Sequence, residues 1–349
     1  MGSKMMSYIK KSLVVVLSCF VFISMPAGAQ DLLKLKVAAA GGTLHAPVFV
    51  AVEQGLFEKH GLDVEVVMFQ SGVEMINGLL AGSHEVNTMG TIPFLSGVSN
   101  GFPLVLIGHL HGRALADSYI DNVGIAAKKD ISSVKGLKGK KIGLPRGTGA
   151  EGYVLGLLSQ AGMSEKDVEL VNVKPPELPT ALLNSDVDAI AVWEPWLSTS
   201  AVNVADAEQL ISGQCDSCYD PGTILTTQAV AGDKTEELKR FMLAFSEASQ
   251  WVRQNLDDAA EVNLRWISLK DADIMKAAMR NGLSDPRMTQ KTVDMFKAKT
   301  IPVLDAAGRL RDEIDLGVAV DGQFINHVMA NAPELFDDLD AVPENLLLK

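Results

Sequence analysis

Cysteine is nearly absent: the 349 residues contain three. One, Cys19, lies in an apolar N-terminal stretch, and the residues before it fit a lipobox poorly. The other two, Cys215 and Cys218, sit together in Gln214-Cys-Asp-Ser-Cys-Tyr219. A structural zinc site takes about four ligands, and no further cysteine supplies them. No histidine directly follows Cys218, which excludes c-type haem attachment. Asp220-Pro221-Gly222 signals a turn, where a thioredoxin-like pair needs a strand feeding a helix. In an oxidising compartment the pair is expected as a small disulfide staple.

Basic charge is also in short supply, with 31 Lys and Arg against 43 Asp and Glu for a net charge of −12. That excludes the electrostatic footprint of a nucleic-acid binder. No Walker loop is present, so the common nucleotide chemistry has no anchor. Long apolar runs are missing beyond the N-terminus, so no later segment is expected to span a membrane. At the N-terminus, Lys4, Lys10 and Lys11 precede an apolar run from Leu13 to Ile23 and a small-residue site, Ala27-Gly28-Ala29. Residues 1–29 therefore read as a cleaved secretory signal. Its removal lowers the basic count from 31 to 28 and takes no acids, moving the charge from −12 to −15. The remaining chain, about 320 residues, is one large or two medium domains.

What is there begins with Leu35 to Val67. An apolar run, Leu35 to Ala40, has the length of a buried strand. Gly41 and Gly42 break it, and Pro47 suits the first turn of a helix, where no amide donor is lost. An apolar helix from Val48 to Phe57 follows, and Asp63 to Val67 returns as a second strand. The first loop thus leaves the carboxyl end of a strand, where ligands bind in open α/β sheets. The pattern continues: a helix from Ser71, a strand from Glu85 to Met89, a helix from Thr91, and a strand from Pro103 to Gly108. After a change of character near Asp117, a second series follows. It has strands at Asn122–Ala127, Lys141–Leu144, Val168–Val173 and Val187–Val192, with a helix over Ala150–Gln160. Thr223 to Val230 reads as a returning strand. Helical periods fill the rest, including Lys234–Asn255, Thr289–Ala306 and Asp321–Met329. Ser71-x-x-Glu74 and Thr148-x-x-Glu151 read as capping boxes.

The succession GGTLHAPVFVAVEQGLFEKHGLDVEVV, SGVEMINGLLAGSHEVNTMGTIPFL, LKGKKIGLPRGTG and VDAIAVWEPW resembles the periplasmic solute-binding proteins of nitrate, sulfonate and taurine ABC importers. The same superfamily includes binders of thiamine-related pyrimidines. The likeness runs through the whole chain after the leader, and Val171-Asn-Val-Lys-Pro-Pro176 leans toward the taurine branch. It implies a two-lobed α/β fold of periplasmic-binding-protein type II, each lobe a mostly parallel sheet flanked by helices. Lobe 1 is expected over residues 30–118 and 223–349, lobe 2 over residues 119–222, with two hinge crossings. It further implies a periplasmic monomer, without catalytic residues or cofactor, that delivers a small anionic or zwitterionic solute to a membrane permease. Alternatives are a heteroaromatic, pyrimidine-type or small carboxylate ligand. A pyrimidine-synthase-like enzyme is the further alternative, though the cysteine-rich iron motif of those relatives is missing.

Four helix starts are expected to converge on the cleft: Thr43, Leu44 and His45 before Pro47; Ser71 and Gly72; Thr91 before Pro93; Thr148 and Gly149. Each carries unpaired amides and the positive end of a helix dipole, which favour anions. Each is equally readable as an ordinary cap. Trp193 and Glu194, at the end of a lobe-2 strand, match positions that contact ligand in the family. Trp193 offers an apolar wall, with Phe49, Phe94 and Tyr153 as further candidates. Glu194 would suit a zwitterion's cation, or would turn to a neighbour. His45 is readable as a donor to an anion or as a structural hydrogen bond. His109 and His111 share one face but lack a third ligand, so no metal is expected. Arg146 is readable as an anion partner or as solvated surface.

Overall fold

The computed structural model describes residues 32–118, 122–267 and 269–348. The expected leader and Cys19 lie outside the described residues. Four strands come first: β1 (Leu33–Ala40), β2 (Leu62–Phe69), β3 (Val86–Met89) and β4 (Leu104–Gly108). Then come β5 (Val123–Lys128), β6 (Lys141–Leu144), β7 (Glu169–Asn172), β8 (Ala189–Trp193), β9 (Ala207–Ser212) and β10 (Thr223–Thr227). They form two five-stranded sheets, ordered β2-β1-β3-β10-β4 and β7-β6-β8-β5-β9. Within each, one strand runs against its neighbours: β10 against β3 and β4, β5 against β8 and β9. These are the strands that arrive from the other sheet. This is the α/β fold of periplasmic binding proteins, with mixed, mostly parallel sheets.

The sheets are covered by helices, which is why β8 and the second half of β1, Val37 to Ala40, are apolar without alternation. Val37, Ala38 and Ala39 have no exposed surface, nor do Ile190, Ala191 and Val192. The first sheet shares its core with the C-terminal helices, through Leu238, Phe241, Phe245 and Phe324. The second sheet has separate apolar clusters, one centred on Tyr153, Val154 and Leu158, the other on Leu178, Leu182 and Leu197.

Several expected elements end elsewhere for local reasons. The helix expected over Val48–Phe57 is two, Ala46–Glu53 and Leu56–Lys59, because Gly55 adopts a left-handed conformation (φ 65°) between them. The strand expected over Thr223–Val230 stops at Thr227, whose hydroxyl accepts the Val230 amide at 3.2 Å and starts a short helix, Gln228–Asp233. The single helix expected over Thr289–Ala306 opens into a wide π turn at Phe296–Thr300. Pro302, just beyond, has no amide to continue the regular ladder. Strand β9 and the helix Trp196–Asn203 gave no clear sequence signal. β9 is an edge strand with exposed Glu208 and Gln209, so neither face reads as a buried run.

Cys215 and Cys218 are bonded to each other, with Cα atoms 5.2 Å apart, in the segment that passes from the second sheet back to the first. The bond packs on Gly156, where a Cβ would meet Cys218 Sγ at 2.6 Å.

Gly124, in β5, marks a close approach. A Cβ there would lie 2.5 Å from Leu197 Cδ2 and 2.7 Å from the backbone carbonyl oxygen of Ile211. The carbonyl is fixed in the sheet and cannot give way. Gly124→Ala is therefore expected to lower stability by about 1–3 kcal/mol. Urea denaturation should show this as a lower midpoint at unchanged slope, and an unchanged midpoint would refute it.

Candidate functional site

Contacts between the ends of the two sheets start at the Gly41-Gly42-Thr43 loop, which leaves the carboxyl end of β1. The indole N–H groups of Trp193 and Trp196 both donate to the Gly41 carbonyl, at 3.0 and 3.2 Å. The Thr43 amide donates to the Glu194 carbonyl at 3.1 Å. Gly42 lies under the Trp193 ring so closely that a Cβ would sit 3.0 Å from the indole. The two strand ends, one from each sheet, thus grip each other directly.

Beside this clasp is a cavity of about 50 Å³, lined in part by Leu44, His45, Ser71, Gly72, Thr148 and Gly149. A single water needs about 10–15 Å³ on the same kind of measure, so the space holds several heavy atoms. All four helix starts singled out in the sequence reach it, the third through Gly90 and Pro93. Trp193 closes one side, and Met75, Met89 and Val123 add apolar wall.

Three expected contacts differ. Thr43 lines an adjoining space instead. Thr91 does not line the cavity, and its amide is already taken, at 2.7 Å, by an oxygen of Asp220. Glu194 is fully buried, but its carboxylate does not line the cavity. It accepts from the Ser198 amide at 3.1 Å, the Ser198 hydroxyl at 2.9 Å and Asn281 Nδ2 at 3.0 Å. Burial raises its pKa above the usual carboxylate value, against the pull of these donors. The Glu194 carboxylate thus faces its neighbours Ser198 and Asn281 in this structure. Phe49, Phe94 and Tyr153 are not walls either. All three are core residues, with Phe49 stacked on Trp266 and the Tyr153 hydroxyl donating to the Gly213 carbonyl.

The residue that sequence reasoning missed is Asp220. In sequence it is one residue of a turn, yet it is 7 % exposed and lines the cavity. One oxygen accepts from the amides of Thr91 and Gly222, at 2.7 and 3.3 Å. The other would lie 2.2 Å from a Cβ at position 149, so glycine is required there. Burial raises the Asp220 pKa, partly offset by those amides. A carboxylate therefore already faces the start of the helix Gly149–Gln160 and caps that of Thr91–Ser99.

The capping boxes are only partly formed. Ser71 Oγ accepts the Glu74 amide at 3.4 Å, while Glu74 takes the Gln70 amide in place of the Ser71 amide. Thr148 does not cap, because its hydroxyl donates to the Pro145 carbonyl at 2.7 Å. Glu151 accepts the Gly147 amide at 2.5 Å and pairs with Arg146 and Arg309, at 3.1 and 2.8 Å. Both arginines also hold Glu165, at 3.0 and 2.6 Å. Arg146 thus pairs with carboxylates on a part-exposed surface and does not line the cavity.

His45 presents a defined tautomer. The Thr88 hydroxyl donates to the Ala38 carbonyl at 2.7 Å, so the 3.0 Å contact between His45 Nδ1 and Thr88 Oγ1 requires a proton on Nδ1. Burial, then the neighbouring His111, lowers the His45 pKa to about 3. The neutral ring's Nε2 can only accept, so this side chain is no donor to an anion. His111 is lowered to about 3 and His109 to about 4, each chiefly by burial. Among the described residues no group of three or more His, Cys, Asp or Glu side chains is placed to hold a metal ion.

The lowered histidines set a pH dependence. A histidine buried neutral adds stability that is fully present above the unfolded value of 6.5 and is lost as pH falls toward the folded one. For His109 the window runs from 6.5 down to about 4, a contribution of about 3 kcal/mol. The melting temperature should fall through this window, and less steeply in His109→Gln. Equal slopes would show that His109 does not titrate there.

A sequence profile of the family described as NMT1/THI5 like matches residues 42–259. The chain is 29% identical over 292 residues to a protein of Bacillus subtilis (strain 168) named as a putative aliphatic sulfonates-binding protein, covering 81% of this chain and 85% of that one. It is 28% identical over 314 residues to the taurine-binding periplasmic protein of Escherichia coli (strain K12), covering 85% and 91%. Among solved structures, the alkanesulfonate-binding protein of Xanthomonas axonopodis pv. citri bound to MOPS superposes with a TM-score of 0.73 at 19% identity, over 84% of this chain and 99% of that one.

Proposed function

The chain belongs to the NMT1/THI5-like family, and from that premise we propose that it is the periplasmic solute-binding component of an ABC importer for a small sulfonate, with an amino-sulfonate of the taurine type preferred. The observation that carries this reading is the cavity where four helix starts and the buried carboxylate of Asp220 meet. First-turn amides lack partners within their helices and favour an anionic head. Asp220 opposes a bare anion, and its charge is matched best by a ligand that also brings an ammonium group. The Nε2 of His45, an acceptor, suits the same N–H donors. A zwitterion satisfies both ends without changing the net charge of the site.

In this reading the first sheet with the C-terminal helices and the second sheet act as two lobes. They move about the paired crossing strands near residues 115–128 and 219–230. Solute touching both lobes favours the closed form by its differential affinity for that form. The clasp of Gly41–Thr43 on Trp193–Trp196 belongs to the closed form. The closed form is what a membrane permease would receive, and solute leaves unchanged. The leader-like residues 1–29 and the names of the relatives support an exported location.

Calorimetric titration with taurine, methanesulfonate and nitrate tests the proposal. Taurine should bind most tightly and nitrate least. Asp220→Asn should weaken taurine at least tenfold while leaving methanesulfonate unchanged or tighter. If no sulfonate binds, the transport reading fails. If Asp220→Asn weakens both sulfonates equally, Asp220 does not read the ammonium.

A further inference from the structure

The helix Gly149–Gln160, whose start meets the cavity, carries in its first turn an ion network that stands outside the cavity lining. Glu151 is buried there and accepts the Gly147 amide at 2.5 Å. Arg146 Nε and Arg309 Nη2 reach Glu151 Oε1 at 3.1 and 2.8 Å. The same two guanidinium groups hold the two oxygens of Glu165, at 3.0 and 2.6 Å. Within the network two positive charges balance two negative ones.

The four members come from different sheets. Arg146 follows β6, and its amide donates to Asn172 Oδ1, at the end of β7, at 3.1 Å. Glu151 belongs to a helix whose Tyr153, Val154 and Leu158 build the core of the second sheet. Glu165 opens the short turn of helix that comes next. Arg309 comes from the first-sheet side. It follows the helix Ile301–Ala306, whose Leu304 lies in the core of the first sheet, and its amide donates to the Leu304 carbonyl at 2.9 Å. Two residues on, the Arg311 amide donates to Ser99 Oγ at 2.7 Å, at the end of the helix Thr91–Ser99. Beside the network an open groove of about 640 Å³ runs between the two helices, lined by Leu155 and Ser159 from one and by Val303 and Ala306 from the other. The guanidinium of Arg309 thus bridges the two halves at a loosely filled seam.

We propose that Arg309 is a positioning residue for solute binding: closure of the two lobes brings it onto Glu151 and Glu165, where its charge cancels the excess negative charge beside an anion-binding helix start. The inference rests on the sulfonate-head reading and the lobe movement given above. With the lobes apart, the second-sheet side holds two carboxylates against the one guanidinium of Arg146. That leaves one negative charge in excess where the helix amides have to attract an anion. With the lobes together, Arg309 brings the sum to zero. Glu151 transmits the effect, because it ties the Gly147 amide directly before Thr148 and Gly149, which line the cavity. Arg309 itself does not line the cavity, so it acts on affinity without touching solute. Affinity for an anion is thereby linked to the closed form by a group outside the site.

Calorimetric titration of the full chain with methanesulfonate tests this. Arg309→Gln should weaken binding about tenfold, and Arg309→Lys, which keeps the charge, should recover most of that loss. Glu165→Gln removes the excess charge from the other side. Combined with Arg309→Gln it should bring affinity back to within about threefold of the unsubstituted protein. A bracing role alone predicts the opposite, since the double variant has lost two members of the network and would bind no better than Arg309→Gln. Unchanged affinity in Arg309→Gln, or no recovery in the double variant, overturns the inference. If Arg309→Gln fails to fold, Glu165→Gln alone decides: it should bind methanesulfonate at least as tightly as the unsubstituted protein, and weaker binding overturns the inference. If the unsubstituted protein binds neither methanesulfonate nor taurine, the sulfonate reading fails and takes this inference with it. Binding by the unsubstituted protein with the wrong pattern among the variants sinks this inference alone.

Discussion

The Gly41 carbonyl, taking two indole N–H bonds at once, is the contact on which the rest of the site depends. It joins the end of β1 to the end of β8, and so holds the working edges of two sheets face to face. The cavity exists because those edges meet with a gap beside them. The contact also explains the residue type at position 42, since the Trp193 ring occupies the space of any side chain. A tryptophan at this place works as a structural clamp and as a wall of the cavity together. The buried Glu194 carboxylate next to it ties Ser198 and Asn281 into the same junction.

Charge in the site is managed by placement, not by total. The chain is acidic overall, at −12, yet the helix starts present partial positive charge inside a low-dielectric cleft. Three carboxylates stand near those starts, and each is treated differently. Glu74 caps the amide just before its helix. Glu151 is answered by two arginines. Asp220 has amide donors but no cationic partner among its described contacts, and burial pushes its pKa up.

Much of this was legible beforehand. The largely apolar runs at Leu35–Ala40 and Val187–Val192 and the glycine and proline punctuation between them gave strands and helix starts in the right order, because strands buried on both faces carry a mostly apolar signal. The helix starts could be placed on the cleft because a strand-to-helix loop in an α/β sheet has one side to emerge on. Asp220, Thr43 and Glu194 were not legible in the same way. An aspartate before Pro-Gly looks like any turn residue, and its burial depends on a helix start 129 positions earlier in the chain. A glutamate at a strand end looks like a ligand contact until Asn281, 87 residues on, is seen to hold it.

The amino-acid order by itself determined most of the elements, their alternation into two α/β series, the pairing of Cys215 with Cys218, and which loops carry unpaired amides. These follow from short-range chemistry: periodicity, backbone freedom at glycine and proline, and ring closure over three residues. Only the tertiary structure decided which of those loops keep their donors for a guest and which carboxylate faces the cavity. Those outcomes turn on hydrogen bonds between residues far apart in the chain and on the shape of the space left after packing. Neither is encoded in any local stretch.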